Sequence, residues 1–126
     1  MKKENKKITE LVKTFEDARK LTGRPDVPDF SNLPTDMRKH FEAQYKMIVI
    51  AEALNEGWIP DWDNYNEYKY YPWFEMYPSS FAFVASRYGG ARADAGSGSR
   101  LKFRTQELAE YAAKQFIDIW KDIQIA

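Results

Sequence analysis

The chain has 126 residues, with 19 Lys plus Arg balanced by 19 Asp plus Glu, and it contains no cysteine. That length suits one domain, spanning 1–126, which buries roughly two-thirds of the surface its unfolded chain exposes. Zero net charge sets aside a generally basic nucleic-acid binder, and the missing thiols set aside disulfides and thiolate metal centres.

The opening segment MKKENKK has no apolar run of the kind a secretory signal needs, and no stretch approaches 18 apolar residues. A cytoplasmic protein with no membrane partner is therefore expected. Between residues 5 and 22, Ile8, Leu11, Val12, Phe15, Ala18 and Leu21 recur at steps of three and four, which predicts an amphipathic N-terminal helix. Gly23 and Pro25 supply its stop. Residues 24–34, RPDVPDFSNLP, are read as a proline-rich connector laid over apolar surface through Val27, Phe30 and Leu33.

An α-β-α module is expected over 35–126. Thr35 or Asp36 caps a second helix reaching about Glu56, and Gly57 ends it. Its first turns are mixed and its last, MIVIAEAL, are apolar nearly all round, so it should be half exposed at its start, buried at its end and central to the fold. From Trp58 to Phe103 the helical period is lost. SFAFVAS reads as a strand with Phe81 and Phe83 on one face. SRLKFRT reads as another, with Leu101 and Phe103 inward and Arg100, Lys102 and Arg104 outward. The glycine-rich RYGGARADAGSGS joins them as a loop. Thr105 caps a last helix running to about Asp122. The fold class is α+β, a small antiparallel sheet of two to three strands packed against two or three helices.

Eleven of the chain's 20 aromatic residues fall between Gly57 and Phe83. In YKYYPWF rings occupy both parities, Tyr68, Tyr70 and Phe74 on one side and Tyr71 and Trp73 on the other. One side can pack on helices. The other is either covered by the connector, with hydroxyls and indole N–H groups reaching the edge, or shown to solvent as a platform. The platform reading selects Trp58, Trp62, Tyr65 and Trp73, with Asp61, Asp63 and Glu67 at the rim, as a site for a partner protein or for self-association.

A second reading starts from charge. Across residues 86–104, Arg87, Arg92, Arg100, Lys102 and Arg104 face one acid, Asp94. With Tyr70, Trp73 or Tyr88 beside them they would suit a nucleic acid, bases on rings and phosphates on cations. Otherwise they keep a strand soluble. GGARADAGSGS lacks the Lys-Ser/Thr of a P-loop and precedes a strand.

Enzyme chemistry finds little purchase. His40 is the single histidine, too few for a metal triad or a nucleophile–base pair. DWDNYNE is rich in oxygens, but the glycine a calcium loop needs is Asn66 and the twelfth position is Pro72. Glu52 and Glu56, one helical turn apart, read as a solvated face. No catalytic residue, metal or cofactor is expected.

The runs IAEALNEGWIPDW, YKYYPWF and GSRLKFRTQELAEYAAKQFIDIWKD resemble a group of small uncharacterised proteins carried by phages, prophages and mobile elements of gut Bacteroides-type bacteria. The resemblance covers Leu33 to the C-terminus. It implies that these segments form one module and that the chain is a small accessory protein made inside a bacterial host.

Overall fold

The computed structural model describes residues 6–96 and 98–125. In chain order the elements are α1 (Ile8–Leu11), α2 (Phe15–Thr22), α3 (Thr35–Leu54), β1 (Lys69–Glu75), β2 (Ala82–Gly89), α4 (Gln106–Gln115) and α5 (Ile117–Gln124). The protein is α+β. Helix α3 lies between α2 and α5, and the β1–β2 hairpin packs on α4. Among the described residues no helix is long and apolar enough to cross a membrane.

The helix expected over 5–22 is two helices; residue 5 lies outside the described residues. The break has a local cause. Thr14 caps α2 by accepting the Asp17 N–H at 3.1 Å, and the Asp17 carboxylate accepts the N–H groups of Lys13 and Thr14 at 3.0 and 3.2 Å. This reciprocal capping box takes amides that a continuous helix would have used. The carbonyls freed at the break are taken by α4, where Tyr111 Oη donates to Val12 at 2.6 Å and Gln115 Nε2 to Lys13 at 2.9 Å. Val12 is fully buried there. Gly23, with φ 74°, ends α2 as its glycine foretold.

Residues 24–34 lie along α3. Tyr45 Oη donates to the Pro25 carbonyl at 2.6 Å, Phe30 packs on Phe41, and Arg38 donates to the carbonyls of Leu33 and Ser31. Neither Thr35 nor Asp36 caps α3. Pro34 holds that position without a side-chain bond, and Thr35 is already helical. The gradient along α3 is as expected: from Met47 onward it buries Met47, Val49, Ile50, Ala51, Ala53 and Leu54. Glu56 (φ 51°) and Gly57 (φ 82°) then turn the chain out of the helix.

The last helix is also split. Thr105 caps α4 through the Leu108 N–H, but Phe116 leaves helical geometry at φ −115°, ψ 33°. Trp120, buried in α5, donates its indole N–H back to the Ala112 carbonyl at 3.1 Å. Leu108, Ala109, Ala112, Phe116, Trp120 and Ile123 join the buried face of α3 and Phe103 in one core cluster.

The sheet has two strands in antiparallel register, Tyr70 opposite Tyr88, Pro72 opposite Ser86 and Trp73 opposite Ala85. Phe74 then faces Phe83, so β2 carries one extra residue, Val84, as a bulge. SRLKFRT is not a strand. Ser99–Leu101 is a 3₁₀ turn, and Phe103 alone bridges Tyr70, by N–H···O bonds of 2.8 and 3.0 Å. The cause is Asn55, fully enclosed beyond α3. Its amide donates to the Lys102 carbonyl at 2.8 Å and accepts the Arg104 N–H at 2.9 Å. A side chain thus takes the place of a neighbouring strand on this segment.

Candidate recognition surface

Alternate residues of a strand share a face. On one face of β1, three successive positions each join a ring to a cation. Lys69 Nζ lies 5.3 Å from the Trp62 ring centre, Lys102 Nζ 3.7 Å from that of Tyr71, and Arg87 Cζ 3.5 Å from that of Trp73. All are within cation–π range. Rings and cations of the two candidate sets therefore meet on this face, at Trp73 with Arg87 and at Tyr71 with the buried Lys102.

Lys69, at one end of this row, is 0% exposed and was not singled out from the sequence. Its ammonium donates to the carbonyls of Asn64 (2.8 Å) and Gly90 (2.6 Å) and sits 3.6 Å from Glu67. Glu67 in turn accepts the Asp61 N–H at 2.7 Å and the Trp58 indole N–H at 3.4 Å. Asp61 accepts the Asp63 N–H, and Asn64 accepts that of Asn66. The oxygen-rich turn is thus spent on its own backbone. Among the described residues no cluster of His, Asp or Glu is placed to hold a metal ion.

Lys102 corrects an expectation. Its side chain does not point outward; it is 0% exposed. Loss of hydration lowers its pKa from 10.5 to about 8, opposed by the charge of Asp94. The other basic residues do not converge. Arg104 pairs with Glu56 at 3.0 Å, Arg100 lies beside Trp58 and Ile59, and Arg92 is exposed after β2. Glu52 pairs with Arg24 at 2.8 Å, so neither of the two helix acids is simply solvated. His40 is half buried, its Nδ1 donating to the Ile123 carbonyl at 2.9 Å.

The opposite face of β1 sends Tyr70 and Phe74 toward the core, where Phe74 stacks on Phe81 at 4.8 Å and tilts against Trp120 at 5.3 Å. Toward the start of β1 this face continues as rings. Tyr68 stacks on Tyr88 at 4.3 Å, and Tyr70 lies 5.8 Å from Tyr88. Tyr68 is 47% exposed, Tyr88 58%, Tyr65 73% and Trp73 43%. Trp58 and Trp62 are half buried, Trp62 donating its indole N–H to Ser99 at 2.7 Å, so both serve the turn as well as the surface. The connector's one ring–ring contact among the described residues is Phe30 on Phe41, and Arg24 shares a cavity wall with Trp58. A groove of about 810 Å³ adjoins Trp73, with Phe41, Phe74, Met76 and Trp120 in its walls.

Family models, curated proteins and solved structures give no match to this chain.

Proposed function

We propose that this chain is a non-enzymatic recognition protein that binds a partner protein through the rings of the β1–β2 hairpin. The observation that carries the reading is that none of the eleven rings between Gly57 and Phe83 is fully buried, while the core closes with α3, α4, α5 and Phe103. Tyr65, Tyr68 and Tyr88, with Trp73 beneath the Arg87 guanidinium, form the contact set. Tyrosine suits the task because it offers large, stiff, amphipathic area with little rotamer entropy to lose, and Tyr, Trp and Arg concentrate binding energy at interfaces. By the resemblance noted above, the partner is a host or phage protein and the chain an accessory of a phage or mobile element.

The test is affinity capture from a bacterial host lysate, wild type against Tyr68→Ala/Tyr88→Ala and Trp73→Ala/Arg87→Ala variants of matched stability. A protein retained by wild type and lost from both variants supports the reading; identical protein lists from all three remove it. Titration with single- and double-stranded DNA and RNA at low salt runs beside it. Salt-sensitive affinity that falls with Arg87 and Arg92 would favour the nucleic-acid alternative instead.

A further inference from the structure

Among the described residues the β2 edge of the hairpin is unpaired, whereas β1 is bridged at Tyr70 by Phe103. Tyr70 spends both its N–H and its C=O on Phe103. The pair Tyr70–Tyr88 therefore exchanges no hydrogen bonds, and by the alternation of an antiparallel ladder neither does Pro72–Ser86. This is why a proline is tolerated inside β1. It also fixes where β2 is unsatisfied: the N–H and C=O of Ser86 and of Tyr88 point away from β1. Among the described residues no backbone group outside the hairpin bonds to β2.

Natural edge strands are guarded by charges, prolines or shortness. β2 runs eight residues, AFVASRYG, with no proline and one charge. That charge does not screen the edge, because Arg87 is drawn back across the sheet onto Trp73. Arg87 enters no ion pair among the described residues. The Val84 bulge interrupts the edge on one side only, leaving Ala85–Gly89 regular.

We infer that Ser86–Tyr88 receives an extended segment of the partner as an added antiparallel strand, with an acidic residue opposite Arg87 and apolar residues on either side of it. This deepens the recognition reading and rests on it. The register follows from the ladder. Residues facing Ser86 and Tyr88 exchange hydrogen bonds with them, and the residue facing Arg87 occupies a closely spaced pair. Its side chain shares the Arg87 face of the sheet, so a carboxylate on a stem long enough to reach the guanidinium over Trp73 is complementary there. The residue facing Tyr88 packs beside the Tyr68–Tyr88 stack, which favours a branched apolar side chain. A second copy of the chain fits poorly. The two-fold register that satisfies both Ser86 and Tyr88 sets Arg87 directly against Arg87, a like-charge pair.

The test titrates the capped peptide Thr-Thr-Val-Glu-Val-Thr-Thr into the isotope-labelled chain at low salt, following amide resonances. Binding is expected to shift Ser86 and Tyr88. A peptide with Lys for Glu should bind about tenfold more weakly or worse. The acidic peptide N-methylated at both valines should not bind. Ser86→Pro removes one outward N–H without touching the β1 ladder and should lose binding; Ser86→Ala, which removes only the hydroxyl beside Glu110, should keep it. The N-methylated peptide needs no change to the protein and decides the matter if Ser86→Pro unfolds. No shift at Ser86 and Tyr88, equal binding of the Lys peptide, or undiminished binding of the N-methylated peptide would each overturn the proposal. So would a wild-type dimer, in sedimentation, that Ser86→Pro dissociates. A lysate partner that depends on Tyr68 and Tyr88 but ignores Ser86→Pro would sink strand addition and leave recognition standing.

Discussion

Asn55 and Lys102, 47 residues apart, are joined by a hydrogen bond of 2.8 Å from a buried side-chain amide to a backbone carbonyl. The same amide accepts the Arg104 N–H, so one side chain sets the path of the chain on both sides of Phe103. Phe103 then bridges Tyr70 and fills the core. Asn55→Ala strips both bonds and leaves two backbone groups unpaired beneath the sheet. A loss of about 2–4 kcal/mol is expected from denaturant unfolding. A loss under about 1 kcal/mol would mean the segment holds its path without Asn55.

Lys102 gives a pH signature. Its folded pKa, about 8, lies below its ordinary value of 10.5. The unfolded chain therefore binds more protons between these values, and stability from this group rises as pH climbs through 8 toward 10.5. Below pH 8 the full cost of holding a buried ammonium is present. Lys102→Met cannot titrate. Between pH 8 and 9.5, below the ordinary tyrosine range, wild type should gain stability relative to that variant, by on the order of 1–2 kcal/mol. Parallel pH profiles for the two proteins would contradict the burial of this charge.

Lys69 fastens the turn over 61–67 to the end of β2 through the carbonyls of Asn64 and Gly90. Lys69→Met keeps the bulk and removes the donors. A destabilisation of about 2–3 kcal/mol is expected, because bonds from a charged donor are lost from a dry site. Amide hydrogen exchange should quicken in residues 61–67 and 89–91 and stay unchanged in α3. Uniform acceleration throughout would show that Lys69 supports the whole fold instead of this corner.

Periodicity, the glycine stops after α2 and α3 and the Thr105 cap of α4 made these helical stretches legible in the sequence, though not the caps of α2 and α3. Gly23 and Thr105 do what their residue types dictate, and the apolar end of α3 is the centre of the core. What escaped was set by contacts between distant residues. The missing third strand depends on Asn55, and the partners of the carbonyls freed at Val12 and Lys13 are Tyr111 and Gln115, 99 and 102 residues on. Lys102 looked outward by strand alternation, and alternation fails where there is no strand. For the candidate surface, both parities of YKYYPWF were readable, as were the exposed Tyr65 and Trp73. The pairing of Tyr68 with Tyr88 was not, since it requires the hairpin register. Thr14 with Asp17 was a signal in plain view, a capping box inside an amphipathic stretch.

The central claim is that the tyrosine face is surplus to folding and kept for contact. Equilibrium unfolding of Tyr68→Ala/Tyr88→Ala, compared with Phe103→Ala, tests it without any partner. The account predicts that the double variant loses no more than about 1.5 kcal/mol, the worth of one exposed ring stack, while Phe103→Ala loses about 3–5 kcal/mol. A double variant as damaged as Phe103→Ala would show that these rings are core and would contradict the account.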